Sequence, residues 1–244
     1  VYKRQYKDWG VETSGKEDDM FSPYLKAPFL LAKEAGEIPG DLKIAGTWSR
    51  ISEQGDATYL NIVYILGHDA TDVHDLTRGE VEGRKQAMWA ANALKKYTPG
   101  FENASLRSFG SSLGIRESRK IIGKYNLTEK DVRNQGRFDD AVGIFPEFLD
   151  GCGIVILPTT GRYFQVPYGI MVPQRVENLL VAGRCVAGDR ISHSATRQMM
   201  CCTVTGQAAG VAAALSIKEK NHSSQVDIAS LQTALSKQGV RIKR

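Results

Sequence analysis

The stretch Asn178-Leu-Leu-Val-Ala-Gly-Arg-Cys-Val-Ala-Gly-Asp-Arg-Ile-Ser-His-Ser-Ala-Thr-Arg-Gln-Met-Met, followed by Gly206-Gln-Ala-Ala-Gly210, most constrains what this chain folds into. It reads as a buried strand over 176–182, a polar turn, and one long helix from Ser194 to about Lys220. Ala195, Met199, Cys202, Gly206, Ala209 and Ala213 recur at helical spacing along that helix. Apart from Met199 the stripe is small, so another backbone or a flat ligand could approach closely. Ordinary packing of a helix on a sheet explains the same stripe.

The 244 residues suffice for one large domain or two small ones. A net charge of +5 is mildly basic, but Lys and Arg are spread along the chain. No basic stripe interleaves with aromatics, so no nucleic-acid partner is expected. No unbroken apolar run approaches the roughly 20 residues that span a bilayer, so no membrane partner is expected either. The four cysteines, Cys152, Cys185, Cys201 and Cys202, lack both a disulfide framework and a chelating spacing. They point to a reducing, cytoplasmic setting, to packing roles and to no metal site.

Earlier segments read as mixed α and β structure. A short helix is expected over 23–35, stopped by Gly36 and Pro39-Gly40. Strands over 41–48 and 58–66 flank Gln54-Gly55-Asp56 as an antiparallel hairpin. Thr77-Arg-Gly-Glu80 fits a capping box at the start of a helix reaching Tyr97, with Ala87, Ala91 and Leu94 on its apolar face. The alternation over 105–112 predicts a strand. Thr128-Glu-Lys-Asp131 predicts a short helix start. His222-Ser-Ser-Gln225 reads as a linker, and 227–238 as a last amphipathic helix.

The chemistry concentrates at the start of the long helix. A helix N-terminus presents unpaired N–H groups and a partial positive charge of about +0.5. A reduced flavin carries negative charge at N1 and the C2 carbonyl, so a helix start aimed there stabilises the reduced form. Thr196, Arg197, Gln198 and Met199 are the expected donors, and Gly183 lets a ribityl chain pass. Arg116 and Arg119 are candidates to clamp a carboxylate or polarise a carbonyl. Surface or interdomain ion pairs are the alternative reading for both. His193 could move a proton during hydride transfer, or serve as a satisfied structural histidine.

Several blocks together resemble the FAD-dependent oxidoreductases related to fumarate reductases and glutathione-reductase-type flavoproteins. They include Asp69-Ala-Thr-Asp72, Asp75-Leu-Thr-Arg-Gly-Glu-Val-Glu-Gly-Arg84, Pro99-Gly-Phe-Glu102 and Gly114-Ile-Arg-Glu-Ser-Arg119. Val166-Pro-Tyr168, Glu177-Asn-Leu-Leu-Val-Ala-Gly-Arg-Cys185, Ser194 with Arg197 and Met199, and Gly206-Gln-Ala-Ala-Gly210 complete the set.

The resemblance implies an α/β protein with FAD as cofactor and a small-molecule substrate. It implies an α+β substrate-side portion over 6–112, a return into a Rossmann-like FAD-binding domain over 113–218, and a linker and helix over 219–244. Gly183, Arg184, Cys185, Thr196, Arg197, Gln198 and Met199 are the implied cofactor-binding residues. Arg116, Arg119 and His193 are the implied catalytic ones. The sequence contains no Gly-x-Gly-x-x-Gly turn. We therefore read it as the later part of a longer flavoenzyme, with the N-terminal dinucleotide-binding unit missing and the fragment inactive alone. Within the same class, a fumarate-reductase-like or ketosteroid-dehydrogenase-like reaction would use Arg116 or Tyr168 as the acid. A non-catalytic binding module is the alternative from another class.

Overall fold

Three short connections set the architecture: a glycine-ended helix, an aspartate-capped helix and a glutamine-centred helix break. The structure, a computed structural model, describes residues 12–13, 27–42, 44–47, 50–58, 60–151, 154–158 and 161–243. These residues form two compact units. One spans 27–115, and the other joins 12–13 to 116–243. Helices and small sheets alternate along the chain, consistent with an α/β protein.

The first described strand, β1 (Glu12–Thr13), belongs to the second unit. The first unit begins at α1 (Ala27–Glu34). Gly36, at φ +70°, ends it, and the N–H of Glu37 returns to the Ala32 carbonyl at 2.9 Å. Residues 23–26 of the expected helix lie outside the described residues. Four short strands follow: β2 (Ile44–Thr47), β3 (Arg50–Ile51), β4 (Ala57–Thr58) and β5 (Asn61–Val63). β3 pairs with β4 and β2 with β5, both antiparallel, around a turn in which Gly55 adopts φ +85°. The hairpin is thus present, with its strands shorter than the pattern suggests.

Helix α2 (Val73–Tyr97) starts four residues before the expected Thr77. Asp72 is the cap, accepting from Asp75 N at 2.7 Å. The Thr77 hydroxyl instead donates to the Val73 carbonyl, and Glu80 accepts from Leu113 N at 2.6 Å. The buried face is also rotated from expectation. Gly79, Gln86, Ala90, Ala93 and Leu94 are buried, whereas Ala87 and Ala91 are only partly so. They meet Phe29, Ala32, Ile38 and Ile62 in this unit's core. No strand forms over 105–112. Side chains from α2 hold this segment, with Arg84 over the Phe109 ring at 5.0 Å and donating to Ser111 O at 3.2 Å.

In the second unit, α3 (Glu129–Arg133) begins with the expected Thr128–Asp131 capping box. Strands β6 (Ala141–Pro146), β7 (Leu149–Gly151), β8 (Ile154–Ile156) and β9 (Tyr163–Pro167) follow. β6 and β9 pair antiparallel, while β8 lies between antiparallel β7 and parallel β1. Leu127, Val142, Leu149, Phe164, Ile170 and Met171 fill the core beneath them. Each such burial contributes about 1.5–3 kcal/mol.

The expected strand over 176–182 does not form. Asn178 adopts φ +52°, and the Val181 N–H bonds to Met171 O at 2.9 Å. No strand lies beside the segment among the described residues, so no ladder builds. The expected long helix is two: α4 (Arg190–Thr196) and α5 (Met199–Glu219). The core-facing stripe of α5 is Cys201, Thr205, Ala208, Ala212 and Ser216. Gly206, Gly210 and Ala213 of the expected stripe lie on the exposed face. By length and composition α5 is also apolar enough to cross a membrane, with a mean hydropathy of 1.5. That corrects the sequence reading, which counted only unbroken apolar runs. The last helix, α6 (Ile228–Lys237), is capped by Asp227 and buries Leu231 and Leu235. The expected linker before it is a packed turn, in which Ser223 is buried and its carbonyl accepts from Tyr168 Oη at 2.7 Å.

A Cβ at Gly123 would lie 2.7 Å from Tyr125 O and 2.8 Å from Gly169 O, both backbone atoms. Gly123→Ala is expected to lower stability by about 1–3 kcal/mol. Gly210→Ala, where a Cβ meets nothing within 4 Å, is expected to gain up to about 1 kcal/mol from helix propensity. Urea unfolding midpoints of the two variants check both signs.

Asp75 supplies a second test. The Asp69 N–H, His68 and Arg78 bond its carboxylate and hold its pKa down at about 2, against an ordinary 3.8. The resulting stability is complete above the ordinary value and fades as pH falls through about 2. Asp75→Asn is expected to remove that acid-limb dependence, as measured by unfolding at stepwise lower pH.

Candidate functional site

Asp189 builds the scaffold of the site. One carboxylate oxygen accepts from Ser192 N at 2.7 Å and caps α4. The other accepts from Glu129 N at 2.7 Å, in the first turn of α3. One carboxylate therefore supports two helix starts, where negative charge is favoured. The Ser192 hydroxyl adds a bond to Leu127 O at 2.8 Å. A Cβ at the preceding Gly188 would sit 2.6 Å from Ser192 Oγ, so glycine is needed there.

The break after α4 has an equally local cause. Arg197 N donates to His193 O at 2.9 Å, and Gln198 N donates to Ala195 O at 3.1 Å. The Gln198 side chain also turns back, giving its Nε2–H to Ser194 O at 2.9 Å. It closes the end of α4 and leaves the start of α5 without a side-chain cap. Among the four expected ring donors, Thr196 ends α4, and the Arg197 and Gln198 N–H groups are engaged there. Met199 alone opens a helix. The first turn of α5 is formed by Met199, Met200 and Cys201, and the two methionines are 82% and 70% exposed.

Gly183 opens a short 3-10 turn, Gly183–Cys185, at φ +74°. That conformation favours glycine. Its N–H donates to Thr205 Oγ1 on α5 at 3.0 Å. Arg184 and Cys185 in the turn are exposed, and the Cys185 carbonyl accepts from Ile121 N at 3.0 Å. Burial pushes the Cys202 thiol up, although the Arg184 charge opposes it. Burial pushes Cys201 up as well. Such thiols are poor nucleophiles, which supports the packing reading. Cys152 lies outside the described residues.

Asp150, at the end of β7, gathers two arginines. Its Oδ2 lies 3.3 Å from Arg116 Nη1 and 3.4 Å from Arg197 Nη2. Arg197 also donates to the Asp150 backbone carbonyl, and its side chain is only 12% exposed. His193 joins this group at 2% exposure, with Nε2 at 3.3 Å from Arg116 O and 3.9 Å from Glu117 Oε2. Its Nδ1 has no hydrogen-bond partner among the described residues. Arg119 is exposed, and no hydrogen bond or ion pair among the described residues ties it to the group. Tyr168 is elsewhere in this unit. It lines a cavity of about 270 Å³ with Lys124, Tyr125 and Asp140. Asp150 was not singled out from the sequence. It stands 34 residues from Arg116 and 47 from Arg197, and no local pattern signals such a pairing.

The family model for FAD dependent oxidoreductases matches residues 5–235. The chain belongs to that family. No curated protein and no solved structure gives a significant match. FAD is the cofactor the family name indicates, and the residues present fit its ring end on two observations. The start of α5 has no side-chain cap and stands beside two exposed methionines, whose polarisable side chains suit a flat apolar ring. The buried Nδ1 of His193 also points to a group outside the chain's own hydrogen bonds.

Burial holds His193 below the ordinary histidine value of 6.5. Lys120 and Arg197 push the same way, while the Arg116 carbonyl and Glu117 oppose them. Below pH 6.5 the unfolded state therefore binds more protons at this residue than the folded state. Its contribution to stability is complete above that pH and declines as pH falls through the lower folded value. His193→Gln is expected to flatten this decline. Urea midpoints followed from about pH 7.5 to 5 test it, across the window where histidine titrates.

Proposed function

We propose that this FAD-dependent oxidoreductase transfers hydride between a small organic substrate and the flavin, beside the Arg116–Asp150–Arg197 group. The observation that carries the reading is the convergence of that group and His193 at the helix break preceding the uncapped start of α5. When bound, FAD supplies the two-electron acceptor or donor. The first-turn N–H groups of α5 favour an electron-rich edge of the ring. The Gly183 turn and Arg184 stand on the approach to that helix, braced through Thr205. Arg116 and Arg197 orient an anionic or carbonyl group of the substrate, and Asp150 sets their planes. Arg119, exposed, would meet the substrate only at the rim.

The reading with Tyr168 as an acid receives no support. Its hydroxyl is committed to Ser223 O, and burial raises its pKa to about 12.

The test is made on the full gene product. It is expected to purify with a reducible flavin spectrum. Arg197→Gln is expected to keep the flavin and lower kcat/KM by about 10- to 100-fold, as loss of charge-assisted hydrogen bonds worth about 1.5–3 kcal/mol implies. A full-length protein that takes up no flavin would instead favour a binding module that retains the fold.

A further inference from the structure

Four buried side-chain atoms lack a hydrogen-bond partner among the described residues: Gln86 Oε1, Thr98 Oγ1, Ser223 Oγ and His193 Nδ1. The first two belong to the other unit, and Ser223 sits in the turn against Tyr168. Only His193 stands in the group with Arg116, Asp150 and Arg197. An unmet buried acceptor costs about 1–3 kcal/mol, so a native structure that keeps one has a use for it.

The surroundings decide the tautomer. Both atoms near Nε2 are acceptors, the Arg116 carbonyl at 3.3 Å and the Glu117 carboxylate at 3.9 Å. A carbonyl cannot donate, so Nε2 carries the hydrogen and gives it to Arg116 O. In the neutral ring Nδ1 is then a bare lone pair. Burial, Lys120 and Arg197 all favour that neutral form, and only Glu117 and the Arg116 carbonyl work against it. A neutral, oriented imidazole with one free basic nitrogen is equipped to take a proton.

We infer that His193 is the proton acceptor of this site through Nδ1, and that the substrate is an alcohol, neutral or carrying a carboxylate. This rests on the hydride-transfer reading above. The charges select the class. Three cations, Arg116, Lys120 and Arg197, stand around His193 against two carboxylates, Glu117 and Asp150. A protonated amine would be repelled, whereas a hydroxyl or hydroxy acid is accepted. Oxidation balances simply. The carbinol C–H bond breaks and its hydrogen leaves as hydride to FAD. The O–H bond breaks and its proton passes to Nδ1. The remaining electron pair closes the C=O bond. Reversal reduces the carbonyl, with His193 returning the proton.

Nitrogen NMR of the full gene product with labelled histidine reads the tautomer without any turnover. The chain has four histidines, and His193→Gln assigns the signal by its loss. The expected spectrum near neutral pH has a protonated, pyrrole-type Nε2 and an unprotonated, pyridine-type Nδ1. A protonated Nδ1 overturns the assignment whether or not flavin binds. The second arm follows anaerobic flavin reduction by simple secondary alcohols and 2-hydroxy acids. Gln in place of His193 keeps an N–H to offer Arg116 O but has no basic nitrogen. It is expected to slow reduction by about 10²- to 10⁴-fold while the protein keeps its flavin and its dithionite reduction. An unchanged rate in His193→Gln overturns the role, and reduction by amines alone overturns the substrate class. Failure of the full gene product to hold FAD sinks the broader reading instead, and the NMR result still judges the tautomer.

Discussion

The site depends on the Asp189 carboxylate more than on any other group. Its two oxygens serve two helix starts, at Ser192 N and Glu129 N. Its own N–H is held by Leu127 O at 2.9 Å. Three bonds to one residue thus set α4 against α3 and fix where His193 points. Gly188 gives the close approach this requires, and the Ser192 hydroxyl locks it from the other side. Both helices are short, seven and five residues, and neither would persist alone in water. Shared capping makes them one element.

The second constraint is the Gln198 side chain. A glutamine at an N-cap would ordinarily be a weak choice. Here the amide turns back to the α4 carbonyls, and the chain pivots without closing the next helix. The exposed start of α5 is therefore a consequence of how α4 ends. Asp150 adds the electrostatic counterpart. It binds the arginine that follows α4 to the arginine that opens the second unit, and so gathers charge beside a buried neutral imidazole.

Much of the secondary structure was legible, because local rules decided it. Gly36 and Gly55 sit where left-handed backbone is needed, and Thr128 with Asp131 forms the capping box its spacing announces. The failures share one physical cause. The segments over 105–112 and 176–182 alternate or run apolar like strands, but a strand exists only through a neighbouring ladder, and none stands beside them among the described residues. Thr77 and Glu80 match a capping box by type, yet Asp72 caps first and Glu80 serves Leu113. The small residues of α5 are so uniform that several faces satisfy the pattern. Which one is buried was settled by what lies beneath.

The sequence by itself determined the family, the mixed α/β character and the concentration of functional groups between residues 183 and 199. Those follow from residue types at short spacing, which act through neighbouring backbone. Tertiary structure alone decided that Asp150 joins Arg116 and Arg197, that Arg119 stays apart, and that His193 keeps Nδ1 free of the chain's own donors. These relations span tens of residues of sequence. Hydrogen bonds and ion pairs act over about 3–4 Å of space, and only the folded chain specifies which distant groups come that close.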